Sequence, residues 1–450
     1  MKSLGLNKYV PVVGAAGLAA LLGAPVVHGQ PENTGAAALI REASQPVRGR
    51  ENDHARIIAA AASSRRVLVG ESTHGSHEYY RERARITERL VRDHGFRAVA
   101  IEGDWSAAWR VNQYVRGLGT DRSADEALRG FKKFPRWMWR NSEFRALVEG
   151  LRAFNLDRPP RDRVGVYGMD VYDMHEAADA AVAYAQAVDP AAAERLRAHY
   201  RCFERHRSAE AYGIAMRRGR SCEAQAQAGM QEVARLPGPS DPVDAERHFA
   251  AVRSAASVAG AEAYFRTSAV GTHSWNVRDR QMARNIDEIA AHVEAVSGTP
   301  GKVVVWAHNS HVGDARATSM ANRGELNLGQ LMRQSHGDQA LLVGFFTHGG
   351  SVMAAPEWGE PGRRYDVRPA LRGSAADLFR ETGLPSFSLL LRGRQDVQDA
   401  LSAPMLQRAI GVIYARETER QSHYFHASVA RQFDAVIYFE QTRAVDPLAR

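Results

Sequence analysis

Short runs of consecutive apolar residues, rich in valine, isoleucine and leucine, recur at 67–70, 98–101, 164–167, 303–306, 341–346, 387–391, 410–414 and 436–439. Few of them alternate between apolar and polar positions, as a strand with one wet face would. Runs of this length read as strands buried on both faces, hence a largely parallel sheet covered by helices on either side. The pattern therefore predicts an α/β protein of three layers. Between about 174 and 300 the sequence turns rich in Ala, Arg and Glu and loses its β-branched runs, which predicts a large helical insertion. The Pro-Gly-Pro-Ser-Asp-Pro run at 237–242 divides that insertion into at least two parts. Residues 31–50 read as a polar leader to the main body.

The segment after the first run reads as a turn and then a helix reaching Asp93, with Ser76 as its N-cap. Tyr79, Ile86 and Leu90 mark its inward face, which Tyr80, Ala84 and Val91 widen. Arg81, Arg85, Arg89 and Arg92 fall on the opposite, solvated side, but Arg83 lies within the apolar arc. A guanidinium there either finds a carboxylate, with Glu71 and Glu102 as the candidates, or snorkels past the core to water.

The first residues differ from the rest of the chain. Lys2 and Lys8 precede a mostly apolar run from 9 to 27 that is broken by Pro11, Pro25 and several glycines. Val27 and Gly29 are small residues placed for a cut ahead of Gln30, so residues 1–29 read as a signal peptide. A retained membrane anchor is the competing reading, since a span needs about 20 apolar residues. With a signal peptide removed, the expectation is a protein exported to the periplasm or secreted, with no stable membrane insertion. In an oxidising compartment Cys202 and Cys222 would be free to pair, although spacing alone leaves a bridge and two buried thiols equally open. The 450 residues, 44% hydrophobic and 24% charged, suffice for a large core. A net charge of +8 arises from arginine scattered along the chain, which argues against a nucleic-acid footprint.

Chemistry gathers where the strands end. Glu71, His74 and His77 follow the first run, Glu102 and Asp104 the second, Asp170 and Asp173 the third, and His308 and His311 the fourth. The carboxyl edge of an open α/β sheet is where ligands bind. A lone polar residue at a strand end usually caps a helix, but several Glu, His and Asp side chains at neighbouring ends point to a shared site. Near the end of the chain, His423 and His426 flank Tyr424 and Phe425, either as pocket lining or as packing. There is no Gly-x-Ser-x-Gly elbow, no HExxH, no phosphate loop and no dinucleotide fingerprint after any strand. What remains is histidine acting as a base on water, with carboxylates to orient it and Arg or His to steady an oxyanion. The same residues would also suit a divalent metal, although none is required.

The chain resembles the erythromycin esterase family, hydrolases that open the macrolide lactone ring. The resemblance rests on Gly70-Glu71-Ser-Thr-His74-Gly with Arg83, on Ala100-Ile-Glu102-Gly-Asp104-Trp105, and on Asn276-Val-Arg278-Asp279-Arg-Gln-Met282-Ala-Arg-Asn285. Trp306-Ala-His308-Asn-Ser-His311 and Ser422-His423-Tyr424-Phe425-His426 complete it, in an order that runs from about residue 40 to the end. It implies one catalytic domain over 30–450, a sheet-centred body with the helical part over a deep cleft. By the same resemblance His74 is the base that activates water, with Glu71, Glu102, His308 and His311 orienting it or polarising the ester. Arg83 would steady a glutamate, Asp104 would support the site, and either Arg278 or Arg280 would face the cleft.

These readings converge on a monomeric ester or lactone hydrolase acting on a small molecule without a required cofactor. Two competing readings use the same pocket: a metal-dependent hydrolase or transferase of the cell envelope, and a non-catalytic protein that holds a metal or haem.

Overall fold

The computed structural model describes residues 32–269 and 273–449, so the leader expected at 1–29 lies outside the described residues. Its strands are β1 (Gln45–Pro46), β2 (Arg66–Val69), β3 (Ala98–Ile101), β4 (Gly165–Gly168), β5 (Val303–Trp306), β6 (Ala340–Ala354), β7 (Arg363–Val367), β8 (Ser386–Leu390), β9 (Met405–Arg408), β10 (Tyr424–Ala427) and β11 (Ala435–Thr442). The main sheet runs β1-β8-β11-β6-β2-β5-β3-β4, with β7 paired to the far end of β6, while β9 and β10 form a separate pair. From β11 through β4 every pairing is parallel, and β1, β7 and β8 join antiparallel.

The burial argument made from the apolar runs holds in detail. Every residue of β2, β3, β4 and β5 is buried. Val67, Val69, Val99, Ile101, Val304 and Trp306 face one core, shared with the helices His77–His94, Trp105–Arg116 and Ser142–Asn155. Leu68, Ala98, Ala100, Val303 and Val305 face a second core on the other side, which the helix Ser274–Ser297 covers with Met282, Ile286, Ile289 and Val293. This is the three-layer α/β arrangement with a mostly parallel sheet.

The helical part is present as well. Helices His175–Val188, Pro190–Glu204, Ala209–Ala215, Glu223–Ala234 and Pro242–Ala269 enclose a third core that includes Leu196, Tyr200, Phe203, Tyr212, Val258 and Phe265. Cys202 and Cys222 are joined by a disulfide within it, with Cα atoms 5.9 Å apart.

Two expectations are corrected. Residues 410–414 are not a strand: Ile410 bridges Thr73 and Ile413 bridges Ala355, so the segment crosses between two neighbours instead of extending the sheet. The stretch read as a polar leader carries the helix Glu32–Ala43, whose Ala37 and Ile40 are buried, and then β1 on the sheet edge. Its sparse apolar residues fall on one helical face, which a reading by overall polarity overlooks.

Candidate active site

Register builds the site. Val69 pairs with Trp306, Trp306 with Ile101, and Ile101 with Gly168, so β2, β5, β3 and β4 end at one level. Glu71, His308, Glu102 and Asp170 follow within two residues of those ends and so emerge side by side.

On β2, Gly70 lies so close to Asn309 that an added Cβ would come within 2.1 Å of its Oδ1. The chain then turns tightly, and Ser76 begins the helix His77–His94. Ser76 stands at the N-cap position, but its hydroxyl pairs with Thr73 and not with the helix backbone. Within the turn, the Nδ1 of His74 is 2.9 Å from Glu71 Oε1. Glu71 is fully buried, and its other oxygen lies 2.9 Å from Nη2 of the equally buried Arg83. The Arg83 guanidinium lies in the corner formed by Tyr80 and Trp306, whose rings stand nearly perpendicular, 4.4 and 4.5 Å from the ring centres. Of its two candidate partners, Arg83 thus takes Glu71 and does not reach water. His74 keeps Nε2 free of hydrogen bonds to the described residues. With Nδ1–H donated to the carboxylate, that nitrogen presents its lone pair.

Glu102 anchors the opposite side. One of its oxygens accepts from the His308 backbone N–H at 2.8 Å, the other from Arg278 Nη2 at 2.7 Å. Arg278 also donates twice to Asp170, at 2.8 and 2.7 Å, and to His311 Nε2 at 2.9 Å. Because a guanidinium only donates, His311 accepts at Nε2 and carries its proton on Nδ1, which donates to Asp279 at 2.9 Å. Trp275 stacks on the His311 ring at 4.3 Å. Arg280, named beside Arg278 as a cleft residue, is corrected: it is exposed, since two positions on a helix turn a side chain by about 200°.

His74 and His308 face each other with ring centres 4.9 Å apart. The His308 Nδ1 accepts from the Ser310 backbone N–H at 3.2 Å, which places its proton on Nε2, and that buried atom makes no well-formed hydrogen bond. Burial, with the adjacent His74, lowers the His308 pKa to about 3, so this ring is neutral. Burial also opposes the charged form of His74, but the Glu102 and Glu71 carboxylates outweigh it and raise the pKa above 6.5. Burial opposes the charged form of Glu102, but the Arg278 guanidinium and the His308 backbone N–H that donate to it hold its carboxyl well below the usual carboxylate range. Two histidines in contact are thereby set apart, one biased towards accepting a proton and one fixed as a neutral donor.

Asp104 opens the helix Trp105–Arg116 without capping it, and the Ser106 N–H is taken by Asp173 at 2.6 Å instead. Lys133 lies 3.4 Å from Asp104 and 2.9 Å from Glu176. Burial, together with the Asp173 and Asp170 carboxylates and against the pull of Lys133, pushes Asp104 up to about 7. Other histidines serve the framework. His77 pairs with Glu143 at 2.6 Å. His423 spends both ring nitrogens on the backbone of Ala409 and Ala415, fixing the segment beside His74, and His426 is exposed. As for metal binding, Glu71 and Glu102 are each engaged with an arginine, and among the described residues no group of three or more His, Cys, Asp or Glu is placed to hold an ion.

Sequence reasoning singled out most of this cluster but gave no role to Asp279, Trp275 or Ser310. Asp279 directly follows Arg278, and its spacing from Met282 and Ile286 already placed it on the buried face.

Solved structures of other proteins share this fold. A crystal structure of a succinoglycan biosynthesis protein superposes with a TM-score of 0.76 at 17% identity, covering 94% of this chain and all of the other. A Bacillus cereus protein gives a TM-score of 0.73 at 15% identity over 93% of this chain and all of the other. A histidine-to-asparagine mutant of the erythromycin esterase EreC in its open conformation gives 0.60 at 16% identity, over 88% of this chain and 96% of the other. At such identities these likenesses speak to the fold alone. The erythromycin esterase family model matches residues 91–442, beginning after the turn that bears Glu71 and His74. With more than half of its length matched, and with the sheet-edge cluster of histidines and carboxylates in place, the chain belongs to the erythromycin esterase family.

Proposed function

We propose that the protein hydrolyses a carboxylic ester or lactone of a small molecule, with His74 as the base that activates water. The observation that carries this reading is the His74–Glu71–Arg83 chain, which holds one imidazole nitrogen and leaves the other as an acceptor. His74 Nε2 takes a proton from water as the oxygen attacks the carbonyl carbon. The developing oxyanion is met by His308 Nε2–H, a buried donor with no other well-formed bond. The charge on the protonated His74 is balanced by Glu71 and Glu102, and its proton then passes to the leaving alkoxide as the C–O bond breaks. Arg278, His311, Asp170 and Asp279 hold Glu102 in position.

No cofactor enters this reading. The enzyme is taken to be a monomer, with the helices from His175–Val188 to Pro242–Ala269 forming the roof of its cleft, and to work outside the cytoplasm after removal of residues 1–29. The Cys202–Cys222 bridge supports export, because such bridges persist in oxidising compartments.

The test is hydrolysis of a panel of p-nitrophenyl esters and macrolides with and without chelator. Turnover should survive chelation, and His74→Ala should lower it by roughly 10²–10⁴-fold. Near-wild-type turnover in that variant would remove His74 as the base. A second reading, a metal-dependent cell-envelope hydrolase or transferase, draws support from the fold shared with the succinoglycan biosynthesis protein. Turnover abolished by chelator and restored by a divalent cation would favour it.

A further inference from the structure

Two segments reach out from the two halves of the site and meet. One follows the helix Trp105–Arg116: its Trp139 donates Nε1–H to the backbone carbonyl of Glu102 at 3.2 Å, and its Lys133 lies 3.4 Å from Asp104. The other is the hairpin of β6 and β7, which rises past the sheet edge beside His74, with Met353 N donating to the Gly75 carbonyl at 3.0 Å. An added Cβ at Gly75 would stand 2.0 Å from the Met353 carbonyl oxygen, so hairpin and catalytic turn are in direct backbone contact.

The segments touch each other through aromatic rings. The Trp137 ring packs against Gly362, where an added Cβ would come within 2.4 Å of it, and Phe134 meets Trp358 edge-to-face at 5.0 Å. Trp358 is 45% exposed, on a hairpin tip bounded by Pro356 and Pro361, and Phe134 beside it is half-buried. Around them Lys132, Arg136, Glu357 and Glu360 are exposed. An aromatic surface with a charged rim, carried on segments fastened beside Glu102 and His74, has the composition of a wall that receives an apolar group.

We infer that Phe134 and Trp358 form the specificity wall of the active site and receive a bulky apolar part of the substrate, so that the preferred esters carry a large aliphatic or alicyclic group. This rests on the ester-hydrolase reading. Charged and short-chain esters would gain nothing from such a wall, whereas each methylene laid against it leaves water.

The experiment compares kcat/KM for p-nitrophenyl octanoate and acetate using the full-length protein. The octanoate-to-acetate ratio should fall roughly 10-fold in Phe134→Ala and in Trp358→Ala, and Trp358→Phe should recover most of it. A ratio unchanged in both alanine variants overturns the inference, because a ratio of two kcat/KM values does not depend on the fraction of enzyme that is folded. If the wild type hydrolyses no ester, the hydrolase reading fails and calorimetric binding of octanamide decides the wall. Saturable binding that is lost in Trp358→Ala upholds it, and no binding to the wild type overturns it.

Discussion

The fully buried carboxyl group of Glu71 is held between His74 on one oxygen and Arg83 on the other, and the buried Arg83 guanidinium has Glu71 and two aromatic faces as its partners. Removing one partner leaves an uncompensated buried charge, so Arg83→Met should cost about 3–5 kcal/mol of stability in urea titration. Arg83→Lys should rescue it poorly, because an ammonium lacks the planar, delocalised face that a guanidinium offers to the Tyr80 and Trp306 rings. The pH dependence follows from the two facing histidines. A base works in its neutral form, and the pKa of His74 is raised above 6.5, so kcat/KM should climb with pH along a limb centred above 6.5. The same shift means that the stabilisation from protonated His74 is full below 6.5 and is lost as pH rises through the folded value. His308, held at about 3, adds no limb near neutrality. A pH profile of kcat/KM checks this, and a limb centred well below 6.5 would contradict the assignment. The partner of Arg83 could be narrowed to two glutamates from helical spacing alone, but choosing Glu71 needed the depth of the turn. The choice between Arg278 and Arg280 was within reach of the sequence, because Arg278 lies one turn before Met282 on the stripe that continues through Ile286, Ile289 and Val293.

At the level of elements, legibility followed burial. β2, β3, β4 and β5 are buried throughout and announced themselves as apolar runs. β7 was not visible: an edge strand with the sequence Arg-Arg-Tyr-Asp-Val needs no apolar face, and most of it is exposed or half-exposed. β1, two residues long, is below what any periodicity can register. The run at 410–414 misled for the opposite reason. Ile410 and Tyr414 are buried in a small satellite core, so they are apolar without belonging to the main sheet. The disulfide could not be read from spacing either, since it depends on how Pro190–Glu204 and Glu223–Ala234 pack. It closes a loop with a sequence separation of 20, for which chain entropy gives about 3 kcal/mol. Replacing Cys202 and Cys222 by serine should therefore lower the melting temperature, read by calorimetry. An unchanged temperature would mean that the helical core holds without its cross-link.

For the whole molecule, the strand-end cluster was legible because a parallel sheet ends in register, so residues far apart in sequence meet wherever their strands stop together. The substrate was not legible, because it depends on segments such as the β6–β7 hairpin whose course no local pattern encodes. The proposed export is tested at this scale too. Protein recovered from outside the producing cell should begin at Gln30 by intact mass, whereas an uncut N-terminus on membrane-bound protein would favour an anchor. Arg278 has one more consequence. It stands on the helix that follows the helical part, while Glu102 and Asp170, the carboxylates it neutralises, stand on the sheet. Drawing that helix away would leave two buried carboxyl groups beside each other without the guanidinium that bonds them both. The site is therefore also a latch: the charge balance that holds Glu102 in place fastens one layer of the protein to the next, and loss of Arg278 would loosen the molecule along the seam where its chemistry occurs.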